Sequence, residues 1–193
     1  MELVQGYQST VEVKNNRITK YINEYDTWDD LVKPWKEFKV LEYISKLSIF
    51  FPQNVIEKGP YVIEYDYVEG TIMKKLTENY FNQICNLYYI LNKNGFNHGD
   101  CNIKNFIIDS NDKVHIIDFG QAYSKERKLI SGEIKDGEEW EYIPPKLSYE
   151  TKEYLINEQF LNEIEELIDS ADHTQAWVQN YLSLTDEEKM ELY

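Results

Sequence analysis

The sequence predicts an α+β protein with two lobes, a small β-rich front and a mainly helical rear, with a cleft between them. Three observations predict it. Apolar and polar residues alternate over 10–13 and again over 18–22, on either side of Asn15-Asn16, the pattern of a β-hairpin. Residues 78–94 instead repeat their apolar side chains at helical spacing. Between these regions, Tyr61-Val62-Ile63-Glu64-Tyr65 is an apolar run bounded by Gly59-Pro60 and Gly70, as expected of a buried strand leading from one lobe to the other.

The remaining elements follow in order. A helix is expected near 28–47, with Phe38, Leu41, Tyr43, Ile44 and Leu47 mostly on one face. Asp26 or Thr27 caps it, and Pro34 stands either in its first turn or just before a shorter helix. In the helix over 78–94 the buried face is Phe81, Ile84, Leu87, Tyr88 and Leu91, and Gly95 stops it. Two short strands, 106–108 and 114–117, are joined by the turn-rich Ser110-Asn111-Asp112, and His115 inside the second strand is a packing or surface residue. A polar, acidic stretch runs from Gly120 to about Glu141. A helix with Phe160, Leu161, Ile164, Leu167 and Ile168 on one side comes next, and Thr185-Asp186-Glu187-Glu188 is a capping box that opens a last one. The expected organisation is one domain over 1–193, with 1–66 as the front lobe and 67–193 as the rear.

Composition narrows the function. A hydrophobic content of 42% supports a packed core. A formal charge of −15 repels a phosphate backbone, so nucleic acid is excluded as the main partner, and a basic protein fits better. Cys85 and Cys101 have no metal-ligand spacing with the histidines and read as free thiols of a reducing compartment. No apolar run reaches membrane-spanning length and the N-terminus has no signal-peptide form, so a cytoplasmic protein is expected, or one delivered to a host cytosol.

The chemistry concentrates in His98-Gly99-Asp100-Cys101-Asn102-Ile103-Lys104-Asn105, followed by Ile117-Asp118-Phe119-Gly120. Moving the terminal phosphoryl group of ATP takes a carboxylate to hold the attacking hydroxyl and oxygen ligands for a divalent ion on the phosphates. Asp100 can be that carboxylate, and Asn105 and Asp118 can hold magnesium or manganese. The two strands between Asn105 and Asp118 would bring both loops to one end of a small β-unit.

This ordered set resembles the protein-kinase-like superfamily, whose catalytic loop reads His-Arg-Asp with an Asn five residues past the Asp, followed by Asp-Phe-Gly. The resemblance spans roughly 6–146 and is highly specific over 98–120. Gly99 departs from the usual Arg, which grips a phosphorylated activation loop in regulated protein kinases. The His-Gly-Asp form is similar to RIO kinases, the kinase subunit of the KEOPS complex, lipopolysaccharide-core sugar kinases, aminoglycoside phosphotransferases and, in its abridgement, small secreted bacterial effector kinases. The resemblance implies that Lys20 contacts the ATP phosphates and that a helix glutamate orients it. Glu37 is preferred for that role, with Glu42 as the competitor. It implies a degenerate glycine-rich loop from Gly6 through Val13, with backbone amides of Gln8 to Thr10 meeting phosphate oxygens and Ser9 and Thr10 hydroxyls helping, and main-chain bonds to the adenine edge near Glu64, Tyr65, Asp66 and Tyr67. Asn102 stands where Ser/Thr protein kinases usually carry a Lys, with Lys104 two places on. Glu141-Tyr142-Ile143-Pro144-Pro145-Lys146 resembles the end of an activation segment, and no Asp-x-Trp-x-x-Gly follows, so the rear lobe is abridged.

Three functions remain open on these residues. The first is a protein Ser/Thr kinase using ATP and magnesium, acting on a protein substrate or relying on an activating protein partner. The second is a small-molecule or sugar kinase of the same fold. The third is a kinase-fold binding module with little turnover. The acids over 133–141 read as a solvated loop.

Overall fold

Asn15 and Asn16 both take left-handed backbone angles (φ 52° and 57°), the conformations that a two-residue hairpin turn demands. The strands on either side pair in register from Lys14 opposite Arg17 to Ser9 opposite Ile22. In the computed structural model, which describes residues 2–5, 9–22, 34–59, 61–124 and 161–191, this hairpin joins β2 (Ser9–Lys14) to β3 (Arg17–Ile22). With β1 (Glu2–Gln5), β4 (Ile56–Gly59) and β5 (Val62–Asp66) they form an antiparallel sheet of order β1-β2-β3-β5-β4. β3 is its middle strand, and its alternation turns Ile18 and Lys20 inward.

Helix α1 runs Pro34–Ile44, so within the described residues it opens at the proline and ends a turn earlier than the sequence suggests. Residues 45–47 form a turn. The proposed caps Asp26 and Thr27 lie outside the described residues. Phe38, Leu41 and Ile44 are buried against the sheet residues Ile18, Ile63 and Tyr65 in one apolar cluster.

The rear begins with β6 (Thr71–Ile72) and α2 (Glu78–Lys93), whose N-terminus Thr77 caps by accepting from the Tyr80 N–H. The predicted face of α2 is buried, with Cys85 added to it. Then follow β7 (Phe96–Asn97), a one-turn 3-10 helix (Ile103–Asn105), β8 (Phe106–Ile108), β9 (Val114–Ile116) and β10 (Tyr123–Ser124). β6, β8 and β9 form one small sheet, and β7 and β10 a second. In the last described stretch, 161–191, come α3, helical over 161–169, α4 (Ala176–Leu182) and α5 (Asp186–Glu191). Ile164, Leu167 and Ile168 of α3 are fully buried, and Phe81 of α2 packs its ring 5.2 Å from those of Trp177 and Tyr181. The capping box is reciprocal: the Glu188 N–H donates to Thr185 Oγ1, and the Thr185 N–H to Glu188 Oε2.

The architecture is therefore the α+β, two-lobed kinase-like one. Lobe and lobe meet at two places that matter for the site. The Ile116 N–H of β9 donates to Phe50 O after α1. Gly70 lies so close to β8 that a Cβ there would stand 2.3 Å from Ile108 O, so the link between the lobes runs tight against the rear sheet. Neither cysteine forms a disulfide, and both are buried. Among the described residues no helix is long and apolar enough to cross a membrane.

Candidate active site

Lys20 places its Nζ 2.8 Å from Glu37 Oε1 and 2.8 Å from Asp118 Oδ1, so three elements converge on one amine. Lys20 and Glu37 are almost wholly buried, whereas about half of the Asp118 side chain, 52%, reaches solvent. Burial pulls the lysine pKa down, but Glu37 and then Asp118 more than reverse this and hold the amine charged above its ordinary range. Burial likewise pushes Asp118 up, and the Lys20 ammonium overcomes it, leaving the carboxyl below its ordinary value. Glu42, the competing glutamate, is exposed and pairs with Lys39.

The second half of the site is built from main chain. Gly99 has φ 78°, and a Cβ on it would stand 2.4 Å from Gln121 O. In this conformation a side chain would collide with the Gln121 carbonyl, so the loop as built requires glycine here. Its N–H donates to Glu163 Oε1 at 2.9 Å, tying the loop to α3. His98, fully buried, has Nε2 3.0 Å from Ile117 O, and because a carbonyl only accepts, Nε2 carries the proton. Burial lowers the histidine pKa, so the ring is neutral. Asn105 Nδ2 donates to both Asp100 O (3.0 Å) and Asp100 Oδ2 (2.9 Å). The Ile117 N–H donates to Asn105 O at 2.9 Å, which fixes Asn105 against the residue preceding Asp118. Asp118 itself takes a left-handed φ of 59°, a strained conformation for a non-glycine residue.

The structure thus brings Lys20, Glu37 and Asp118 together, and ties Asp100 and Asn105 to the same point through Ile117. Asn102 accepts the Lys104 N–H and caps the 3-10 turn that presents Asn105, while Lys104 is exposed. Ser9 and Thr10 lie in β2, where Thr10 pairs with Gln5 on one side and Tyr21 on the other. Gly6, with Tyr7 and Gln8, lies outside the described residues, as does the whole of 125–160 with its activation-segment ending. Some of the main-chain groups expected at the adenine edge have partners within the protein. Glu64 pairs with Thr19 and Ile56 inside the sheet, and the Asp66 and Tyr67 N–H groups donate to Gln53 O and Asn16 O. Those donors are already committed, whereas among the described residues the main chain of Val68 and Glu69 carries no such bond.

Two residues escaped the sequence reading. Tyr65 was expected to act through its main chain, yet its buried phenol lies beside the lysine cluster. Burial pushes its pKa up, Lys20 pulls it back, and Glu37 and Asp118 add to the rise, so the phenol stays protonated. Glu163 sits in the run Glu163-Ile164-Glu165-Glu166-Leu167, where one buried acid looks like its solvated neighbours. The available signal was its phase: position 163 falls on the apolar face with 160, 164 and 167.

A divalent ion fits the donor set. With its amide nitrogen on Asp100, Asn105 presents a carbonyl oxygen, and Asp118 keeps a carboxylate oxygen beyond the one held by Lys20. Hard oxygen donors of this kind suit magnesium, which takes one or two carboxylates from protein and the rest of its octahedron from phosphate and water.

Comparison with known proteins places this geometry. Residues 6–131 match the family model of the RIO domain. Over 100 residues the chain is 27% identical to the Encephalitozoon cuniculi protein named "Probable serine/threonine-protein kinase KIN1 homolog", covering 52% of this chain and 15% of that protein.

Proposed function

Because the chain belongs to the RIO family of the protein-kinase-like superfamily, we propose that it transfers the terminal phosphoryl group of ATP to a protein hydroxyl, on Ser or Thr. The observation that carries the reading is the orientation of Asp100. Asn105 occupies its Oδ2, while Oδ1 carries no hydrogen bond among the described residues and is available to an incoming hydroxyl. Asp100 then holds that hydroxyl and accepts its proton. Lys20, kept charged and immobile between Glu37 and Asp118, meets the phosphates, and Asn105 and Asp118 hold magnesium. The ion, when bound, neutralises charge on the phosphate oxygens. Val68 and Glu69 offer main-chain groups to the adenine edge.

A protein acceptor is favoured by the name of the relative above, and by the net charge of −15, which favours basic acceptors. The test is incubation with labelled ATP and magnesium, wild type against Asp100→Asn, offering a basic test protein and a sugar mixture side by side. Label on protein that is lost in the variant supports the reading. Label on sugars alone moves the function to the small-molecule class. Tight nucleotide binding without any transfer makes the chain a binding module.

A further inference from the structure

A second recess lies behind the link between the lobes. It is a cleft of about 310 Å³ between the loop after α1, the end of β5 with the residues that follow it (66–69), and the turn joining β8 to β9. Strand alternation sets it apart from the site above: Tyr65 faces the Lys20 cluster, and Asp66, its neighbour on β5, turns the other way into the cleft. The floor includes Phe51, almost fully buried and edge-on to Phe119 at 5.9 Å. Ile49 and Tyr67 stand on the wall with 72% and 38% of their surface in solvent, two of the largest exposed apolar side chains among the described residues.

The charge of the lining has one dominant sign. Asp66, Glu69 and Asp109 all contribute carboxylates. Asp66 is answered by Arg17 and Asn54, and Asp109 by His115 and the main-chain N–H groups of Asn111 and Lys113. Glu69 is exposed and has no ion pair or hydrogen bond among the described residues. A bare carboxylate beside an exposed tyrosine ring and an aliphatic shelf is a receptor for a guanidinium flanked by an apolar side chain. The guanidinium lies over the ring and pairs with the acid, and the apolar group covers Ile49.

We propose that this cleft docks a basic, extended segment of a partner protein, with an arginine on Glu69 and Tyr67 and a neighbouring aliphatic side chain on Ile49. The cleft uses none of the phosphoryl-transfer side chains, although Val68 and Glu69 line it while their main chain faces the proposed adenine edge, and its test reads peptide binding rather than turnover.

The probe is a short capped peptide of alternating leucine and arginine, titrated by fluorescence anisotropy against the whole chain. Wild type binds it saturably at one site, and the same peptide with glutamate in place of arginine does not bind. Glu69→Lys weakens binding about tenfold, the order of one attraction exchanged for one repulsion at a surface. Ile49→Ser weakens it about threefold or more through lost apolar contact. Both positions are exposed, so the fold survives the changes. Glu187→Lys on α5, exposed and remote in sequence, controls for general attraction to an acidic protein and leaves the affinity unchanged. The proposal is overturned if wild type shows no saturable binding, if Glu187→Lys weakens it as much as Glu69→Lys, or if neither cleft substitution alters it.

Discussion

The lysine side and the loop side of the site are held by different physics. On the lysine side three charges meet, two of them buried, and their geometry depends on mutual attraction. On the loop side the positions of Asp100 and Asn105 come from main-chain hydrogen bonds, a glycine that no side chain can replace, and a buried neutral histidine. The first arrangement tolerates graded change, because altering one charge leaves the others in place. The second fails by steric exclusion, because a displaced backbone carries the carboxylate with it.

The largest expected effect is chemical and falls on the loop side. Asp100→Asn lowers phosphoryl transfer by about 10²–10⁴-fold, the range of a lost general base, with nucleotide affinity unchanged by calorimetry. A parallel loss of affinity would make Asp100 part of the scaffold and blur the division between the two sides. On the lysine side, Glu37→Gln keeps an acceptor for the amine but removes its buried counter-charge, leaving Asp118 as the remaining one. Exchanging an ionised for a neutral acceptor, a loss of about 1.5–3 kcal/mol at most, should reduce turnover by about 10- to 100-fold. Glu42→Gln, which alters only an exposed pair with Lys39, stays within about 0.5 kcal/mol of wild type in urea unfolding and leaves turnover intact. Equal effects of the two glutamine variants would overturn the choice of Glu37.

Gly99→Ala tests the steric half directly. A left-handed φ costs a non-glycine residue about 1–3 kcal/mol, and the contact with Gln121 O adds to it. Urea unfolding should show a loss of at least about 2 kcal/mol. A near-neutral result would mean that the loop relaxes easily and is not sterically set.

The smallest effect is one of pH. Burial lowers the His98 pKa, so the fold leaves unprotonated a ring that the open chain would protonate. Stability from this group is complete above the unfolded value of about 6.5 and falls as pH drops toward the folded one. Asp118, whose pKa is depressed, gives a contribution lost only further down, as pH falls through its folded value below about 3.9, and its half-exposed side chain makes that contribution modest. Urea midpoints compared at pH 7.5 and 5.5 should show the decline in wild type and a flatter slope in His98→Asn. An unchanged slope would assign the pH dependence elsewhere.

How much of this was legible in the sequence differs between the sides in the same way. Asp100, Asn105 and Asp118 stand close in sequence with fixed spacing, so their convergence could be read from two short strands and a turn. Lys20 and Glu37 are distant from them, and their convergence rests on β3 lying in the middle of the sheet, which periodicity alone does not give. β1 and the charged edge strand β4 went unread because neither has the apolar alternation that marks a half-buried strand. Glu163 went unread because a buried carboxylate is recognisable only by what it bonds, here the main chain of Gly99. At the expected adenine edge, β5 keeps its ladder through Asp66, which pairs with Arg17, a bound that periodicity does not fix.

The most direct test of the central claim is calorimetric titration of ATP into wild type and Asp118→Ala, each with and without magnesium. Magnesium should strengthen ATP binding to wild type, and this gain should disappear in the variant while its thermal unfolding remains cooperative. A folded Asp118→Ala protein that keeps the full magnesium-dependent gain would contradict it.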